Sequence, residues 1–332
     1  MSEAAHPREV FAYEGGEGVE QAFLDALARG RLHHAWLLTG PEGVGKATFA
    51  YRAARRLMGA RPDPQFGLLG SSPEDPVSRQ IASRSHPDLM VLEKASEDGK
   101  ARKHISVDDA RRLPEFFAKA PASAPYRVAI IDAADDMNVN AANALLKILE
   151  EPPARGVLFL VSHSPGGLIA TIRSRCRRLA FPPWDMQRVH SFVQGRTGLP
   201  ADQALRLAQM ARGAPGRAMA MAEEGALDAE TVAQEILRRL PGADDAALLA
   251  VADSFRGAEG QKRFEMLFER LLDQVQALAS RAAEAGASAE VDRWARAWET
   301  LSVLPRDVEA VNLDRADAFF TAIGRLRQAA RA

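Results

Sequence analysis

At residues 40–47 the chain reads GPEGVGKA, a phosphate-binding loop that is complete except for its last position. In the pattern G-x-x-x-x-G-K-[ST], glycines let backbone N–H groups wrap around phosphate oxygens, and the lysine contacts the phosphates. The final hydroxyl residue holds Mg²⁺, but Ala47 stands there, and Thr48 is rotated about 100° further around a helix. The sequence predicts either a phosphate site without its metal ligand or a glycine-rich turn with no ligand. The candidate residues of this loop are Gly40, Gly43, Gly45, Lys46, Ala47 and Thr48.

The flanks of the loop predict its structural context. Residues 35–39 are a short apolar run, and residues 47–58 have helical spacing. Strand, glycine loop and helix is the arrangement that a phosphate site needs. Apolar runs at 88–92, 126–132 and 156–161 alternate with helical patterns. This alternation predicts an α/β fold with a doubly wound, mostly parallel sheet over roughly the first 180 residues.

After Pro182-Pro183 the strand patterns stop, and alanine-rich helical patterns replace them. Three apolar stripes at helical spacing predict the core of an all-α region. Their members are Phe264, Leu267, Phe268, Leu271, Leu272, Val275 and Leu278; Trp294, Ala297, Trp298, Leu301 and Leu304; and Phe319, Phe320, Ile323 and Leu326. Residues 59–86, rich in Pro, Gly and Ser, predict a loop, and the charged residues 95–104 predict a surface excursion.

Composition excludes several classes of protein. The 43 Lys and Arg residues nearly balance the 44 Asp and Glu residues, which argues against a polyanion binder dominated by global charge. The single cysteine, Cys176, excludes a disulfide framework within the chain and a multi-cysteine zinc site. No apolar run is long enough to span a membrane, and the first residues do not resemble a signal peptide. We therefore expect a soluble, cytoplasmic protein.

An active ATPase of this kind also needs an acid after an apolar strand, to organise the metal and the attacking water. Asp132 stands in that position, directly after residues 128–131. The next residue, often a glutamate that polarises water, is Ala133, and Asp135 and Asp136 lie beyond the strand. With alanine at both 47 and 133, we expect no efficient hydrolysis of ATP at this site.

Residues 171–178 read TIRSRCRR, with four arginines in six positions. They form either a solvated basic edge, a contact for nucleic-acid phosphates, or an arginine finger that stabilises charge on a neighbour's γ-phosphate. A stand-alone single-strand binder has little support, because residues 171–180 contain no aromatic side chain to stack on bases. At residues 213–217, GAPGR, Arg217 is either an ordinary surface arginine at a helix start or one that reaches a bound nucleotide.

Four segments together resemble bacterial clamp-loader subunits of the AAA+ class, and within it the delta-prime family of DNA polymerase III. They are RLHHAWLLTGP at 31–41, HPDL at 86–89, NALLKILEEPP at 143–153 and SRC at 174–176. The resemblance covers about residues 8–225. It implies a RecA-like AAA+ domain (1–181), a helical lid (182–241) and a helical collar (242–332) that joins subunits into a ring.

The resemblance also implies roles and partners. The ring contains gamma or tau ATPase subunits and the delta subunit, and it loads the sliding β clamp on primed DNA. A delta-prime subunit is its stator, with Arg175 as the arginine finger in trans, Arg217 at the sensor-2 position, and Ser162 or His163 near sensor 1. It belongs to the polymerase holoenzyme without being an ATPase alone. The alternative is a gamma/tau-like subunit that hydrolyses ATP itself.

Cofactor expectations follow from the same resemblance. Binding of ATP or ADP at the loop stays open, since backbone donors do not reveal affinity. Many relatives carry a four-cysteine zinc module between the loop helix and the next strand. The corresponding residues, about 59–86, contain no cysteine, so we expect no zinc.

Overall fold

The computed structural model describes residues 5–94, 104–240, 245–311 and 313–331. The chain divides into two compact units, one up to Ala220 and one from Met221 onward. Most of the predicted excursion at 95–104 and the predicted boundary at 241–242 lie outside the described residues. The three-domain division therefore stays a prediction.

The first unit is built on a five-stranded parallel sheet with the order β2-β3-β4-β1-β5. β1 and β4 are buried along their whole length, as expected for strands covered on both faces. This confirms the predicted α/β fold. The strands are β1 (Ala35–Thr39), β2 (Leu89–Glu93), β3 (Arg127–Asp132), β4 (Gly156–Ser162) and β5 (Arg177–Ala180).

Helices cover both faces of this sheet. Trp36 and Leu38 of β1 pack into one hydrophobic cluster with Phe23 and Phe49, while Leu37, between them, packs into the cluster on the other face. This alternation is the period-two geometry of a strand between two cores. The helices are α1 (Glu17–Ala28), α2 (Lys46–Leu57), α3 (Pro76–Ala82), α4 (Val107–Ala118), α5 (Val139–Glu150), α6 (Ala170–Arg175), α7 (Met186–Thr197), α8 (Ala201–Ala211) and α9 (Pro215–Glu224), the last of which crosses the division.

Described residues of the second unit are helical, which confirms the predicted all-α region. Its core contains buried members of all three predicted stripes, such as Phe268, Leu301 and Phe319. The prediction was wrong for Trp298 and Phe320, which are 41% and 37% exposed, because each lies about 100° around its helix from a buried neighbour. The helices are α10 (Ala226–Arg239), α11 (Asp245–Asp253), α12 (Gly257–Glu284), α13 (Ser288–Val311) and α14 (Arg315–Ala330).

The insertion at 59–86 is more ordered than predicted. It contains a 3₁₀ turn at Pro64–Phe66 and the helix α3, rather than loop throughout. Asp75 caps α3 by accepting hydrogen bonds from the backbone N–H groups of Val77 (2.9 Å) and Ser78 (3.2 Å). An aspartate followed by proline is a helix-start signal that the high Pro, Gly and Ser content obscured.

A buried ion pair ties this insertion to the helix that follows the glycine loop. Arg52 of α2 donates through Nε to Glu20 Oε1 of α1 at 2.6 Å, and both side chains are almost fully buried. Arg52 also donates to the carbonyls of Phe11 and Phe66, while Glu20 Oε2 accepts from the N–H of Leu69 at 3.2 Å. Each charge is thus paired and hydrogen-bonded, the condition under which a buried pair is tolerated.

We expect Glu20→Gln to lower the free energy of unfolding by about 3–5 kcal/mol, since it leaves Arg52 buried without a countercharge. Urea denaturation followed by circular dichroism measures this loss. Limited proteolysis is expected to cut earlier within residues 59–86.

Asp25→Asn is the matched control on the same helix. Its carboxylate is exposed and lies 3.8 Å from Arg29, so its loss is expected to cost less than about 1 kcal/mol. Equal stability of the two variants would contradict the anchoring role of Glu20.

Candidate functional site

The glycine loop leaves the carboxyl end of β1 and ends at the first residue of α2. Gly45, at the N-cap, has φ of 98°, a conformation that L side chains rarely adopt. The loop therefore brings backbone N–H groups and a helix N-terminus together, the arrangement that suits anions.

Lys46 is held inside this loop. Its Nζ donates to the carbonyl oxygens of Gly40 at 2.7 Å and Pro41 at 2.5 Å, and the residue is only 3% exposed. Burial lowers the pKa of this ammonium to about 8, against the opposing influence of Asp132 and other nearby carboxylates. The lysine and the loop donors fit a phosphate chain.

Asp132, the last residue of β3, is brought close to Lys46 and lies opposite Glu93 of β2 in the strand register. Burial, and then the charge of Glu93, raise the pKa of the Asp132 carboxyl to about 6, although His6 and Lys46 oppose this. Glu93 is paired with Arg84 and lies 3.4 Å from Nε2 of His6. Sequence reasoning missed Glu93 and His6, since nothing local marks the end of β2 as part of the site.

The two alanines that replace polar residues are packed as apolar groups. Ala47 is half-buried against the hydrophobic cluster that contains Phe49, and Ala133 is 4% exposed. Thr48 is half-buried one position along α2. The residues here fit the phosphates of a nucleotide better than its Mg²⁺, because neither alanine offers an oxygen ligand.

Asp135 fastens the carboxyl end of β4 to the turn after β3. Its Oδ1 accepts from Ser162 Oγ (2.9 Å) and the N–H of Ser164 (3.1 Å), and its Oδ2 accepts from the N–H of His163 (2.7 Å). Burial, and then the positive charge of Lys46, lower the pKa of His163. Asp135 thus positions Ser162 and His163, the two sensor-1 candidates, rather than acting as a second carboxylate beside Asp132.

The start of α9 lies directly against the glycine loop. The N–H of Gly216 donates to the carbonyl of Gly43 at 2.8 Å. A Cβ at Gly43, where φ is 78°, would stand 2.4 Å from the backbone nitrogen of Arg217. The structure therefore brings Arg217 to the loop, at a distance that only glycine at position 43 permits.

Tyr13 covers the other side of the loop. A Cβ at Gly45 would lie 2.7 Å from its ring, and the Arg52 guanidinium lies 5.4 Å from the ring centroid. Burial raises the pKa of the Tyr13 phenol. No motif marks this tyrosine in the sequence, because it reaches the loop through packing of distant segments.

Arg175 is not part of this loop site. It ends α6 just before β5, so it lies toward the amino end of the strands, whereas the loop follows their carboxyl end. Its Nη2 lies 3.0 Å from Glu150 Oε1, and Nη1 donates to the carbonyl of Thr171 at 3.3 Å. The side chain is 36% exposed, which leaves it accessible at the surface.

Within the part of the chain that the structure describes, no group of three or more His, Cys, Asp or Glu side chains is placed to hold a metal ion. None of the helices in the described ranges combines the length and apolar character needed to cross a membrane.

The amino-acid sequence matches a known protein family. A family model described as DNA polymerase III, delta subunit matches residues 16–185. The delta' subunit of DNA polymerase III from Pseudomonas aeruginosa is 34% identical over 223 residues, 67% of this chain and 66% of that protein. The delta' subunit from Escherichia coli is 31% identical over 222 residues, 67% and 64% of the two chains.

Gamma/tau subunits match as well. The gamma/tau subunit from Mycobacterium tuberculosis is 34% identical over 194 residues, 58% of this chain and 32% of that protein. The chain thus spans just under two thirds of the length of the delta' relatives and about a third of the length of the gamma/tau relative. A solved gamma-subunit-related protein from Thermotoga maritima aligns over 95% of this chain and 99% of its own at 18% identity, with a TM-score of 0.46. The family model matches half of the chain. The chain therefore belongs to the DNA polymerase III delta subunit family of clamp-loader proteins.

Proposed function

We propose that this chain acts as a delta-prime clamp-loader subunit, a stator that lends Arg175 to the ATP site of a neighbouring subunit. The observation that carries the proposal is an exposed arginine in a Ser-Arg-Cys segment, combined with alanine at positions 47 and 133 of its own site. A finger residue works on a neighbour's γ-phosphate and does not require its own chain to hydrolyse ATP.

The pairing of Arg175 with Glu150 suits such a role. Among the described residues, Glu150 is the carboxylate that pairs with the Arg175 guanidinium, and Glu150 is half exposed. An exposed ion pair contributes little to stability, so exchanging Glu150 for a more highly charged phosphate costs little. Glu150 would hold the side chain in place until the neighbour's nucleotide replaces it.

We further propose that the glycine loop binds ATP or ADP through Lys46 and the backbone N–H groups, with little hydrolysis. Arg217 would report the presence of the nucleotide to the helices that follow. Asp132 alone is a poor metal site, because both positions that usually complete it are alanine.

The alternative is a gamma/tau-like subunit that hydrolyses ATP itself. Overall identity does not separate the two, because delta' and gamma/tau relatives both reach 34%. Individual residues favour the delta-prime role. Ala47 and Ala133 lack the metal ligand and the carboxylate that an ATPase subunit needs, while Arg175 offers the guanidinium that a finger donor needs.

The proposed partners are gamma or tau, delta, the sliding β clamp and primed DNA, all within the cytoplasm. The collar at residues 242–332 would join this chain to the ring. Zinc has no role in this proposal, since residues 59–86 contain no cysteine.

We expect Arg175→Ala to slow ATP hydrolysis at the adjacent site of the reconstituted loader by at least about 10³-fold, the range measured for arginine fingers. Rapid-quench measurement of the clamp- and DNA-stimulated burst separates this site from the other ATPase sites. Assembly of the loader is checked by gel filtration.

Arg173→Ala is the matched control. This exposed arginine stands two residues earlier and donates to the carbonyls of Pro165 and Gly166 of its own chain, both at 3.3 Å. Its variant is expected to keep the full burst. An unchanged burst with Arg175→Ala would refute the finger assignment.

Nucleotide affinity is expected to fall with rising pH. Because the pKa of Lys46 is lowered to about 8, phosphate binding above that pH must first reprotonate the lysine. The Kd for ATP should be about doubled at pH 8, rise about fivefold between pH 8 and 9, and approach a tenfold rise per pH unit above about 9. Titration of the purified chain with labelled ATP, with and without Mg²⁺, measures this.

Lys46→Arg separates the effect of this lysine from other titrations. Its guanidinium stays charged, so the pH dependence above 8 should disappear whatever the absolute affinity. Absence of binding at every pH would refute the nucleotide proposal. Hydrolysis that Lys46→Ala abolishes would favour the gamma/tau-like alternative.

A further inference from the structure

A basic pocket lies at the end of the sheet opposite the glycine loop. It is a cavity of about 270 Å³ between the carboxyl-terminal half of α1 and the amino ends of β1 and β5. Its lining residues are Ala22, Asp25, Ala26, Arg29, Arg31 and Arg177. The loop follows the carboxyl end of β1, so the two sites are separated by the length of that strand, roughly 16 Å.

The charges in this pocket do not balance. Asp25 is the one carboxylate of the lining, and it lies 3.8 Å from Arg29. Across residues 5–94 and the other described ranges, neither Arg31 nor Arg177 has a side-chain hydrogen bond or ion pair to an oxygen. Two guanidinium groups are therefore available in one concave site.

Arg177 is also held in a fixed position. Its guanidinium lies 5.0 Å from the centroid of the Trp36 ring, and Trp36 is fully buried. The two residues are register partners on β5 and β1, and the Trp36 ring packs 5.3 Å from that of Phe23. Such a cation–π contact restrains the guanidinium beside the ring while leaving its N–H groups able to donate.

Neighbouring arginines of the same segment differ in this respect. Arg173 donates to two carbonyls, and Arg178 donates through Nε to Thr39 Oγ1 at 3.0 Å. Arg177 alone of the three combines a stacked guanidinium with a place in a cavity.

We propose that this pocket binds a phosphate group, supplied by a nucleic-acid backbone or by a free phosphate. Two uncompensated guanidinium groups match the several acceptor oxygens of a phosphate, which arginine contacts in bidentate fashion. The proposal is independent of the arginine finger and of the glycine loop, since it uses neither Arg175 nor Lys46.

The test uses the full chain with Lys46→Ala, so that the glycine loop does not contribute. Fluorescence anisotropy measures binding of labelled single-stranded and duplex oligonucleotides, and calorimetry measures binding of inorganic phosphate. We expect Arg31→Gln and Arg177→Gln each to weaken phosphate binding roughly tenfold. For DNA, each lost contact should reduce the salt dependence by about 1 in the log–log slope.

Arg206→Gln is the matched control, because it removes one exposed positive charge that lies 3.9 Å from Asp202 of α8. If Arg177→Gln fails to fold because the contact with Trp36 is lost, Arg31→Gln still tests the proposal. Arg31 contacts no aromatic ring among the described residues. Oligonucleotide binding that depends on Arg31 and Arg177 identifies nucleic acid as the source, and dependence for inorganic phosphate alone identifies a free phosphate. If neither ligand distinguishes these variants from Arg206→Gln, the proposal is overturned.

Discussion

The parallel pairing of β1 with both β4 and β5 is the constraint on which the rest of the first unit depends. Since all five strands run the same way, every strand end that can carry chemistry falls on one of two edges. The carboxyl edge holds the glycine loop, Asp132 and His163. The amino edge holds the arginines around Arg175 and Arg177. One topology thus separates the glycine loop and its acidic neighbours from a surface that presents cations.

Several acidic side chains lie close together at the carboxyl edge of the sheet. Their mutual repulsion affects the chemistry of the site as much as the replacement of polar residues by Ala47 and Ala133 does. Asp132 and Glu93 are register partners, so the pKa of Asp132 is raised to about 6 even with Lys46 nearby. Glu93 is paired with Arg84 and lies within hydrogen-bond distance of His6. Asp135 accepts from the Ser162 hydroxyl at the end of β4 and from the N–H groups of His163 and Ser164 just after it. The carboxylates here are therefore committed mainly to holding strand ends and loops together.

Local patterns were enough to predict the sheet, because Gly40, Lys46 and Asp132 each stand at a sharp change from strand to loop or helix. Contacts between distant segments were not predictable in the same way. Tyr13, Glu93 and Asp135 reach the site through packing of elements far apart in sequence, and no spacing rule marks them. In the helical region the period identified the stripes, yet Trp298 is exposed because an apolar residue next to a stripe is not necessarily part of the core.

The glycines of the loop have a structural reason to be there that is separate from any phosphate. At Gly43 a side chain would collide with the backbone of Arg217, and at Gly45 with the ring of Tyr13. A chain that had lost hydrolysis would still need both glycines in order to pack α9 and Tyr13 against α2. Lys46 differs from the glycines, because burial lowers its pKa and, within the described residues, its Nζ donates to the carbonyl oxygens of Gly40 and Pro41. The buried lysine with its lowered pKa, rather than the glycines, is therefore the feature of the loop that supports the proposed phosphate binding.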